Sequence, residues 1–314
     1  MAANRTLSAD IHTGGHPLCG RGMVSTAAPD IEVKEKTFQP PSSQWISLAR
    51  DRWVRYPGGD AGLRRLQELI ATPARVRMPC MLIYGVSGAG KTMLLEKFQR
   101  DHLKTCEERS GRRTIVSAEL PPVPLLRSLY AEIIRSLCAD VSPTMRLHEL
   151  ETRAIGMLQH AAPRMLLIDE IQHLLSCGIR DQRAALNAIK FLANKLRISI
   201  VAAGTHEALH VMRADPQIAS RFEQLELPVW TESHELRRFI AGYLALLPIK
   251  RSSAAIDKRF VEYLLELSEG VTGRIIDVLR RAALQGIADK TQKVGLVQLQ
   301  VVGAKMPSVV GQRT

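Results

Sequence analysis

Five short apolar runs alternate along the chain with longer segments in which apolar residues recur at intervals of three and four. Uninterrupted runs of this length are typical of strands that are buried on both faces of a parallel sheet. They predict strands near residues 81–84, 114–119, 165–169, 198–203 and 223–228. The segments with helical spacing predict helices near residues 91–105, 123–138, 145–160 and 182–196. We therefore expect an α/β fold, a doubly wound parallel sheet flanked by helices, with its ligand site beyond the carboxyl ends of the strands.

The segments on either side of this alternation differ from it. Upstream, residues 44–71 show two helical patterns that are separated by residues 55–60, which include Pro57. Downstream, three helical patterns follow one another without a strand, and they predict a small C-terminal helical lid. The resulting division is a flexible arm (1–44), an α/β domain (45–230), the lid (231–304) and a flexible tail (305–314).

A glycine-rich turn joins the first strand to the next helix. It has the G-x-x-x-x-G-K-T pattern of a phosphate-binding loop, the Walker A motif, and consists of Gly85, Val86, Ser87, Gly88, Ala89, Gly90, Lys91 and Thr92. Glycines allow the backbone N–H groups to point inward around a triphosphate, and the start of the helix faces the same anion. We expect Lys91 to reach the β and γ phosphates of ATP and Thr92 to ligate Mg2+.

The third predicted strand ends in two adjacent carboxylates, Asp169 and Glu170, as in a Walker B motif. Asp169 is expected to hold the magnesium ion through its water shell. Glu170 is expected to orient and polarise a water molecule against the γ phosphate, which favours an ATP hydrolase over a nucleotide kinase. The simpler interpretation is that both acids cap the next helix.

Composition and charge narrow the class of protein. The chain has 314 residues, 46% of them hydrophobic, and no apolar run approaches the roughly 18 residues of a membrane span. We expect a cytoplasmic protein without membrane contact, and the five scattered cysteines indicate reduced thiols. The net charge of +12 favours a polyanionic partner, with nucleic acid the first candidate, although a generally basic surface would give the same balance.

Later motifs follow the two acids in a characteristic order. They are a strand that ends at Thr205, then Ser220, Arg221 and Phe222, and finally Gly273 and Arg274. With the phosphate-binding loop, they resemble the AAA+ ATPases over about residues 45–290.

This resemblance implies specific roles for five residues. Thr205 would be the sensor 1 residue at the γ phosphate, Arg221 would close the site of a neighbouring subunit, and Arg274 would be the sensor 2 residue that couples the lid to the nucleotide. Trp53 and Tyr56 would contact adenine. Simpler interpretations remain open: a helix cap for Thr205 or Arg274, a surface ion pair for Arg221, and core packing for the aromatic residues.

Three segments resemble one branch of the AAA+ ATPases, the TniB transposition proteins, which are related to TnsC. The segments are residues 47–57, 77–85 and 169–175. The resemblance implies a homo-oligomer, a ring or filament, that assembles on duplex DNA in an ATP-regulated way and recruits an integrase-type transposase. A target-selection accessory protein is a further possible partner, and hydrolysis would release the assembly.

In related proteins the DNA channel is lined from the region around the second strand and the helix after it, so Arg112, Arg113 and Arg127 are candidate phosphate contacts. A solvated helix face is the simpler interpretation of each.

Two other functions share the same motifs. One is a helicase loader or insertion-sequence helper ATPase, and the other is a nucleotide-switched signalling ATPase that does not bind DNA.

Overall fold

The computed structural model describes residues 47–107, 114–249 and 256–306. Its strands are β1 Cys80–Tyr84, β2 Ile115–Glu119, β3 Met165–Asp169, β4 Ser199–Gly204 and β5 Phe222–Glu226. They form one parallel sheet in the order β2-β3-β4-β1-β5. The predicted parallel α/β fold is confirmed, and β1 lies inside the sheet between β4 and β5.

Helices connect the strands and continue beyond the last one. In chain order they are α1 Pro57–Ala71, α2 Lys91–Glu107, α3 Leu126–Ser136, α4 Leu147–Ala161, α5 Ile179–Leu196, α6 Ala208–Arg213, α7 Pro216–Ala219, α8 His234–Leu246, α9 Lys258–Ser268, α10 Thr272–Ala288 and α11 Leu296–Lys305. A 3₁₀ helix, Ile171–Ser176, directly follows Glu170. None of the helices in the described ranges is both long enough and apolar enough to cross a membrane.

Both faces of the sheet are covered, which explains why the strands are continuous apolar runs. Leu82 and Leu166 pack on one face, in a cluster with residues from α3, α4 and α5. Met81 and Leu167 pack on the opposite face, in a cluster with residues from α1 and α2. All four side chains are 0% exposed, because successive residues of a strand point to opposite faces and both faces are buried here.

The lid consists of α8 to α11 and has a hydrophobic cluster of its own. Phe239, Phe260 and Leu279 lie in this cluster. Leu48 is buried in it as well, and Tyr56, from the residues just before α1, packs against it. The segment that precedes α1 is therefore in contact with the lid, and the α/β domain and the lid belong to one compact unit.

The structure corrects the predicted break between two upstream helices. Pro57 is the first residue of α1, and Gly58, Gly59 and Asp60 lie in its first turn. Proline is favoured at the first helical position because its missing N–H would have no partner there, so this proline starts a helix instead of separating two. Among the described residues before it, only 47–49 are helical.

The sequence pattern also does not predict α11 as a separate helix. This helix packs against α9 and α10, with Leu299 fully buried. Its sequence is mostly apolar on all sides, so it lacks the clear polar face from which a surface helix is recognised. The predicted arm, and the tail beyond residue 306, lie outside the described residues.

We expect Gly270→Ala to destabilise the protein by about 2 kcal/mol or more. Gly270 lies between α9 and α10 with φ +70°, and an added Cβ would lie 2.2 Å from the carbonyl oxygen of Trp230. Trp230 N also donates to Gly270 O at 2.7 Å, so neither backbone can move freely. The free energy of unfolding, measured with urea, tests this.

Gly156→Ala is the matched control. Gly156 lies inside α4, and an added Cβ there meets nothing within 4 Å. Alanine has the higher helix propensity, so this variant should be neutral or more stable by about 0.5–1 kcal/mol. Equal effects of the two substitutions would contradict the close contact at Trp230.

Candidate nucleotide-binding site

The glycine-rich turn connects β1 to α2 as a tight loop over the edge of the sheet. Gly88 and Gly90 adopt φ +80° and +99°, a region that L residues rarely occupy. At Gly85 the constraint is different, because a Cβ there would lie 2.5 Å from the carbonyl oxygen of Leu227. Ala89 N closes the turn by donating to Val86 O at 3.1 Å. The glycines of the motif are thus required by backbone geometry, and the loop opens onto the N-terminus of α2.

Lys91 folds back over this loop. Its Nζ donates to the carbonyl oxygens of Gly85, at 3.0 Å, and Val86, at 2.9 Å, and the residue is only 6% exposed. Burial lowers the pKa of the ammonium group, while the nearby Glu170 and Asp169 carboxylates act in the opposite direction. The cation is held on neutral carbonyls, which a phosphate oxygen can replace with a gain in charge pairing.

Thr92 and Asp169 are in direct contact. Thr92 Oγ1 donates to Asp169 Oδ2 at 2.7 Å, which joins the start of α2 to the end of β3. Burial raises the pKa of the Asp169 carboxyl, whereas hydrogen bonds from Thr92 and the Glu170 backbone N–H lower it. A hydroxyl and a carboxylate are oxygen donors of the kind that Mg2+ prefers, and a bound cation would stabilise the ionised form of Asp169. The residues present therefore fit a magnesium ion.

Glu170 has an unusual backbone conformation for a residue that directly follows a strand. Its φ is +56°, in the left-handed region, and its N–H donates to Asp169 Oδ1 at 2.8 Å. Its side chain accepts a hydrogen bond from Gln172 Nε2, and His173 Nε2 lies 3.8 Å from Oε2. Left-handed backbone at a non-glycine residue is held by its surroundings, and here the chain leaves the strand direction at Glu170.

Thr205 lies at the end of β4, level with the start of the glycine-rich loop, because Tyr84 pairs with Gly204. Its Oγ1 is buried and has no hydrogen-bond partner among the described residues. Buried hydroxyls are nearly always paired, so this one indicates a place for a ligand or water atom. The predicted sensor position is thus beside the loop.

Two adjoining cavities form an elongated site. The polar cavity, of about 350 Å³, is lined by Ser87, Lys91, Thr92, Glu170 and Thr205, among others. The apolar cavity, of about 220 Å³, is lined by Trp53, Tyr56, Met93 and Ile276, among others. Asp51, Gly88, Gly90 and Met93 line both cavities. A polar end that is rich in phosphate-binding groups beside an aromatic end matches the two halves of a nucleotide.

Trp53 and Tyr56, which line the apolar cavity, also pack with Trp230, which lies outside its lining. The Tyr56 ring lies 6.0 Å from that of Trp53 and 5.4 Å from that of Trp230, measured between ring centroids. Burial raises the pKa of Tyr56 to about 12, with a further contribution from the charge of Asp60. Core packing and adenine contact are therefore both compatible with the position of these side chains.

The lid contacts the loop through its backbone. Gly273 N donates to Gly88 O at 2.9 Å, and Thr272 and Gly273 line the apolar cavity. Arg274 does not line either cavity, and its Nη1 donates to Glu269 Oε2 at 2.6 Å on the exposed side of the lid. The predicted sensor 2 residue thus follows Gly273 directly, but its guanidinium is paired with Glu269 and does not line the site.

Arg221 lies at the end of the sheet opposite to the glycine-rich loop. It directly precedes β5, at the amino ends of the strands, and its Nη1 donates to Asn194 Oδ1 at 2.7 Å. A strand of this length spans about 17 Å, so the guanidinium is well separated from the loop of its own chain. Any contact of Arg221 with a nucleotide must be with that of another copy.

The predicted DNA contacts are only partly visible. Arg112 and Arg113 lie outside the described residues. The guanidinium of Arg127 donates to the carbonyl oxygens of Met145, Pro143 (2.7 Å) and Ser142 (3.3 Å), which stabilises the loop before α4. This arrangement favours a structural role for Arg127 over a phosphate contact.

A larger cavity, of about 380 Å³, lies at the amino ends of the strands and away from the glycine-rich loop. Arg164, Lys195 and Arg197 line it, close to the C-termini of α4 and α5. Cations at helix C-termini stabilise the helix dipoles, so the charges have a structural explanation. Cavity size is therefore not what identifies the site.

Comparisons with known proteins agree with this geometry. A family model described as "Bacterial TniB protein" matches residues 44–232, which is more than half of the chain. No curated protein matches.

The fold is similar to that of the Aeropyrum pernix ORC1 protein in complex with DNA, with a TM-score of 0.65 and 20% identity over 84% of this chain and 69% of that one. It is similar to the Aeropyrum pernix ORC2 protein in ADPNP–ADP complexes, with a TM-score of 0.60 and 18% identity over 83% of this chain and 72% of that one. It is also similar to Cdc6p from Pyrobaculum aerophilum, with a TM-score of 0.54 and 17% identity over 79% of this chain and 67% of that one. These likenesses show the AAA+ fold.

We expect Tyr56→Ala to weaken nucleotide binding about tenfold, since it removes about 1.5 kcal/mol of apolar contact from the wall of the apolar cavity. Tyr56→Phe keeps the ring and should stay much closer to the unaltered protein. Titration with a fluorescent ATP analogue, on protein shown by thermal melting to be folded, measures the two affinities. Equal affinities of the alanine variant and the unaltered protein would place the base elsewhere.

Proposed function

Because this chain belongs to the TniB family, we propose that it is an ATPase that assembles on duplex DNA in its ATP-bound state and recruits or activates a partner transposase. ATP hydrolysis then releases the assembly. The observation that carries this proposal is the hydrogen bond between Thr92 and Asp169 beside the buried Lys91, with Glu170 directly following.

The residues of the polar cavity divide the chemistry among them. Lys91 and the N–H groups of the glycine-rich loop bind the β and γ phosphates. Thr92 and Asp169 would hold Mg2+, which would neutralise phosphate charge. Glu170 accepts a proton from the attacking water and orients it, and the free hydroxyl of Thr205 contacts the γ phosphate or that water. Each group is within or directly beside the cavity.

The remaining charge on the leaving phosphate is stabilised from a second copy. Arg221 lies at the amino ends of the strands and its own loop at the carboxyl ends, so it serves the site of a neighbouring chain. Arg274, next to the loop contact of Gly273, couples lid position to the nucleotide after its guanidinium leaves Glu269. Assembly and hydrolysis are thereby linked through one shared site.

DNA association is supported by charge and by fold. The net charge of +12 favours contacts with phosphates that neutralise the backbone without reading sequence. The Aeropyrum pernix ORC1 protein, which has the same fold, is seen in complex with DNA. The transposase, and a target-selection accessory protein, are partners that the family suggests.

Electron microscopy of the protein with duplex DNA tests the assembly. With a slowly hydrolysed ATP analogue we expect ordered polymers or rings on DNA, and with ADP we expect none. The reason is that the γ phosphate, which ADP lacks, is the group that Lys91 of one chain and Arg221 of the next both contact. Lys91→Ala should not assemble with either nucleotide.

Other outcomes separate the alternatives. Isolated protomers under all conditions would contradict the proposal. ATP turnover that is independent of DNA, without salt-sensitive retention on duplex DNA, would favour a signalling ATPase. Assembly that depends on a replicative helicase, without stimulation of strand transfer by a transposase, would favour a helicase loader.

Arg221→Ala should bind ATP normally and lose assembly-stimulated hydrolysis by about a hundredfold or more. The exposed lid residue Arg281, which pairs with Asp277 within α10, provides the control Arg281→Ala, which should hydrolyse ATP normally. Phosphate release with DNA present is the measurement.

A mixing experiment then tests the action between chains. Glu170→Gln retains Arg221, and Arg221→Ala retains Glu170, so a mixed assembly contains complete sites that neither variant forms alone. Hydrolysis should recover in the mixture. If it does not, or if Arg221→Ala alone turns over ATP normally, Arg221 does not act on a neighbour's site.

A further inference from the structure

Gln172 is a buried amide beside the candidate catalytic carboxylate. It lies in the 3₁₀ helix after Glu170, in a run of residues that is otherwise mostly apolar, and is 8% exposed. Buried amides are costly unless their polar atoms are paired, so the partners of this side chain indicate what it does.

One end of the amide is fixed on the end of β4. Gln172 Oε1 accepts a hydrogen bond from Thr205 N at 3.1 Å. Gly204 makes room for it, since a Cβ at that position would lie 2.4 Å from the same oxygen. The amide is therefore pressed against the backbone that carries Thr205.

The other end of the amide holds Glu170. Gln172 Nε2 donates to Glu170 Oε2, which leaves Oε1 available for a water molecule. The neighbouring His173 is a less direct partner, because its Nε2 lies 3.8 Å from Oε2 and its Nδ1 is in contact with Leu120 O at 2.8 Å. Gln172 is thus the side chain that connects the carboxylate to the strand next to it.

We propose that Gln172 is a positioning residue for ATP hydrolysis: its amide links the Glu170 carboxylate to the backbone of Thr205. A shift of Thr205 on contact with the γ phosphate is then transmitted to Glu170 through a single side chain. The hydrogen bond from Gln172 Nε2 fixes one rotamer of the Glu170 carboxylate, as catalysis by a positioned side chain requires. The inference rests on the proposed ATPase function and deepens it.

Two substitutions at Gln172 separate its contacts. Gln172→Glu keeps an oxygen for Thr205 N but cannot donate to Glu170 when ionised, and Gln172→Met removes both hydrogen bonds at similar volume. We expect both variants to lower kcat about tenfold to a hundredfold, because the carboxylate is displaced. The affinity for a slowly hydrolysed ATP analogue should change less than about threefold, since Lys91 and the loop are untouched.

Gln298 provides a closely matched control in the lid. It is also 8% exposed, and its Oε1 also accepts a backbone N–H, from Gly295, at 3.1 Å. Gln298→Glu therefore introduces a buried carboxylate with the same retained contact but far from Glu170, and kcat should be unchanged. A kcat lowered equally by Gln298→Glu and Gln172→Glu would contradict positioning, because any buried charge would then have the same effect.

Combination with Glu170→Gln gives a readout that a purely structural role would not produce. If Gln172 acts only through Glu170, the double variant Glu170→Gln, Gln172→Met should have the kcat of Glu170→Gln alone, within about twofold. Multiplication of the two single effects would overturn the inference.

Thermal melting without nucleotide tests the contact independently of turnover. Gln172→Glu places two carboxylates against each other and should lower Tm by several degrees at neutral pH. The exchanged pair Glu170→Gln, Gln172→Glu restores one amide and one carboxylate, so Tm should return toward that of the unaltered protein. No recovery would show that the two side chains are not partners.

The two proposals fail in distinguishable ways. An absence of ATP hydrolysis by the unaltered protein would remove the proposed function while the melting result could still show the contact. Normal turnover by both Gln172 variants, in a protein whose Glu170→Gln variant is inactive, would remove the positioning role and leave the ATPase in place.

Discussion

The hydrogen bond between Thr92 and Asp169 is the contact on which the site depends. It links two segments that are 77 residues apart in the chain, the start of α2 and the end of β3. The parallel sheet makes this possible, because every strand delivers its carboxyl end to the same edge. The loop after β1, the acids after β3 and Thr205 after β4 converge there, although β1 and β3 are not neighbours and β4 lies between them.

Burial gives this edge its chemical character. Lys91 and Asp169 are both more than nine-tenths buried. Burial lowers the pKa of Lys91 and raises that of Asp169, and both shifts favour the neutral form of the side chain. Charges in such a place are costly unless they are paired, and here they are held by backbone carbonyls, a hydroxyl and an N–H. The hydroxyl of Thr205 has no hydrogen-bond partner in the described part of the chain, and it and these groups gain partners when a triphosphate and a cation are bound. The site therefore suits a ligand that brings negative phosphate groups to Lys91 and a cation to Asp169.

The sequence predicts much of this arrangement, for identifiable physical reasons. Strands that are buried on both faces are continuous apolar runs, and the glycines of the loop are required by φ values and close contacts at Gly85, Gly88 and Gly90. The TniB resemblance inferred from the motifs is confirmed by the family match.

The residues that the sequence does not predict depend on tertiary contacts. Gln172 has no local signal beyond being a polar residue in an apolar run, because its partners, Thr205 and Glu170, become visible only when β3 and β4 are adjacent. Arg127 looks like an exposed helical cation, and only the fold shows that its donors face loop carbonyls. Pro57, by contrast, has a local explanation as the start of α1, since proline is favoured at the first helical position.

The location of Arg221 constrains how copies can associate if it acts on a neighbour's nucleotide. The loop and Arg221 lie at opposite edges of the same sheet, so the contact must join the carboxyl edge of one copy to the amino edge of the next. Such an interface joins two different surfaces, and repetition of it produces a ring when the rotation closes and a helical filament when it does not. A single pair joined in this head-to-tail way would leave one loop and one Arg221 without a counterpart. The same geometry that separates the guanidinium from its own phosphate-binding loop thus favours an open or closed series of subunits over a single head-to-tail pair.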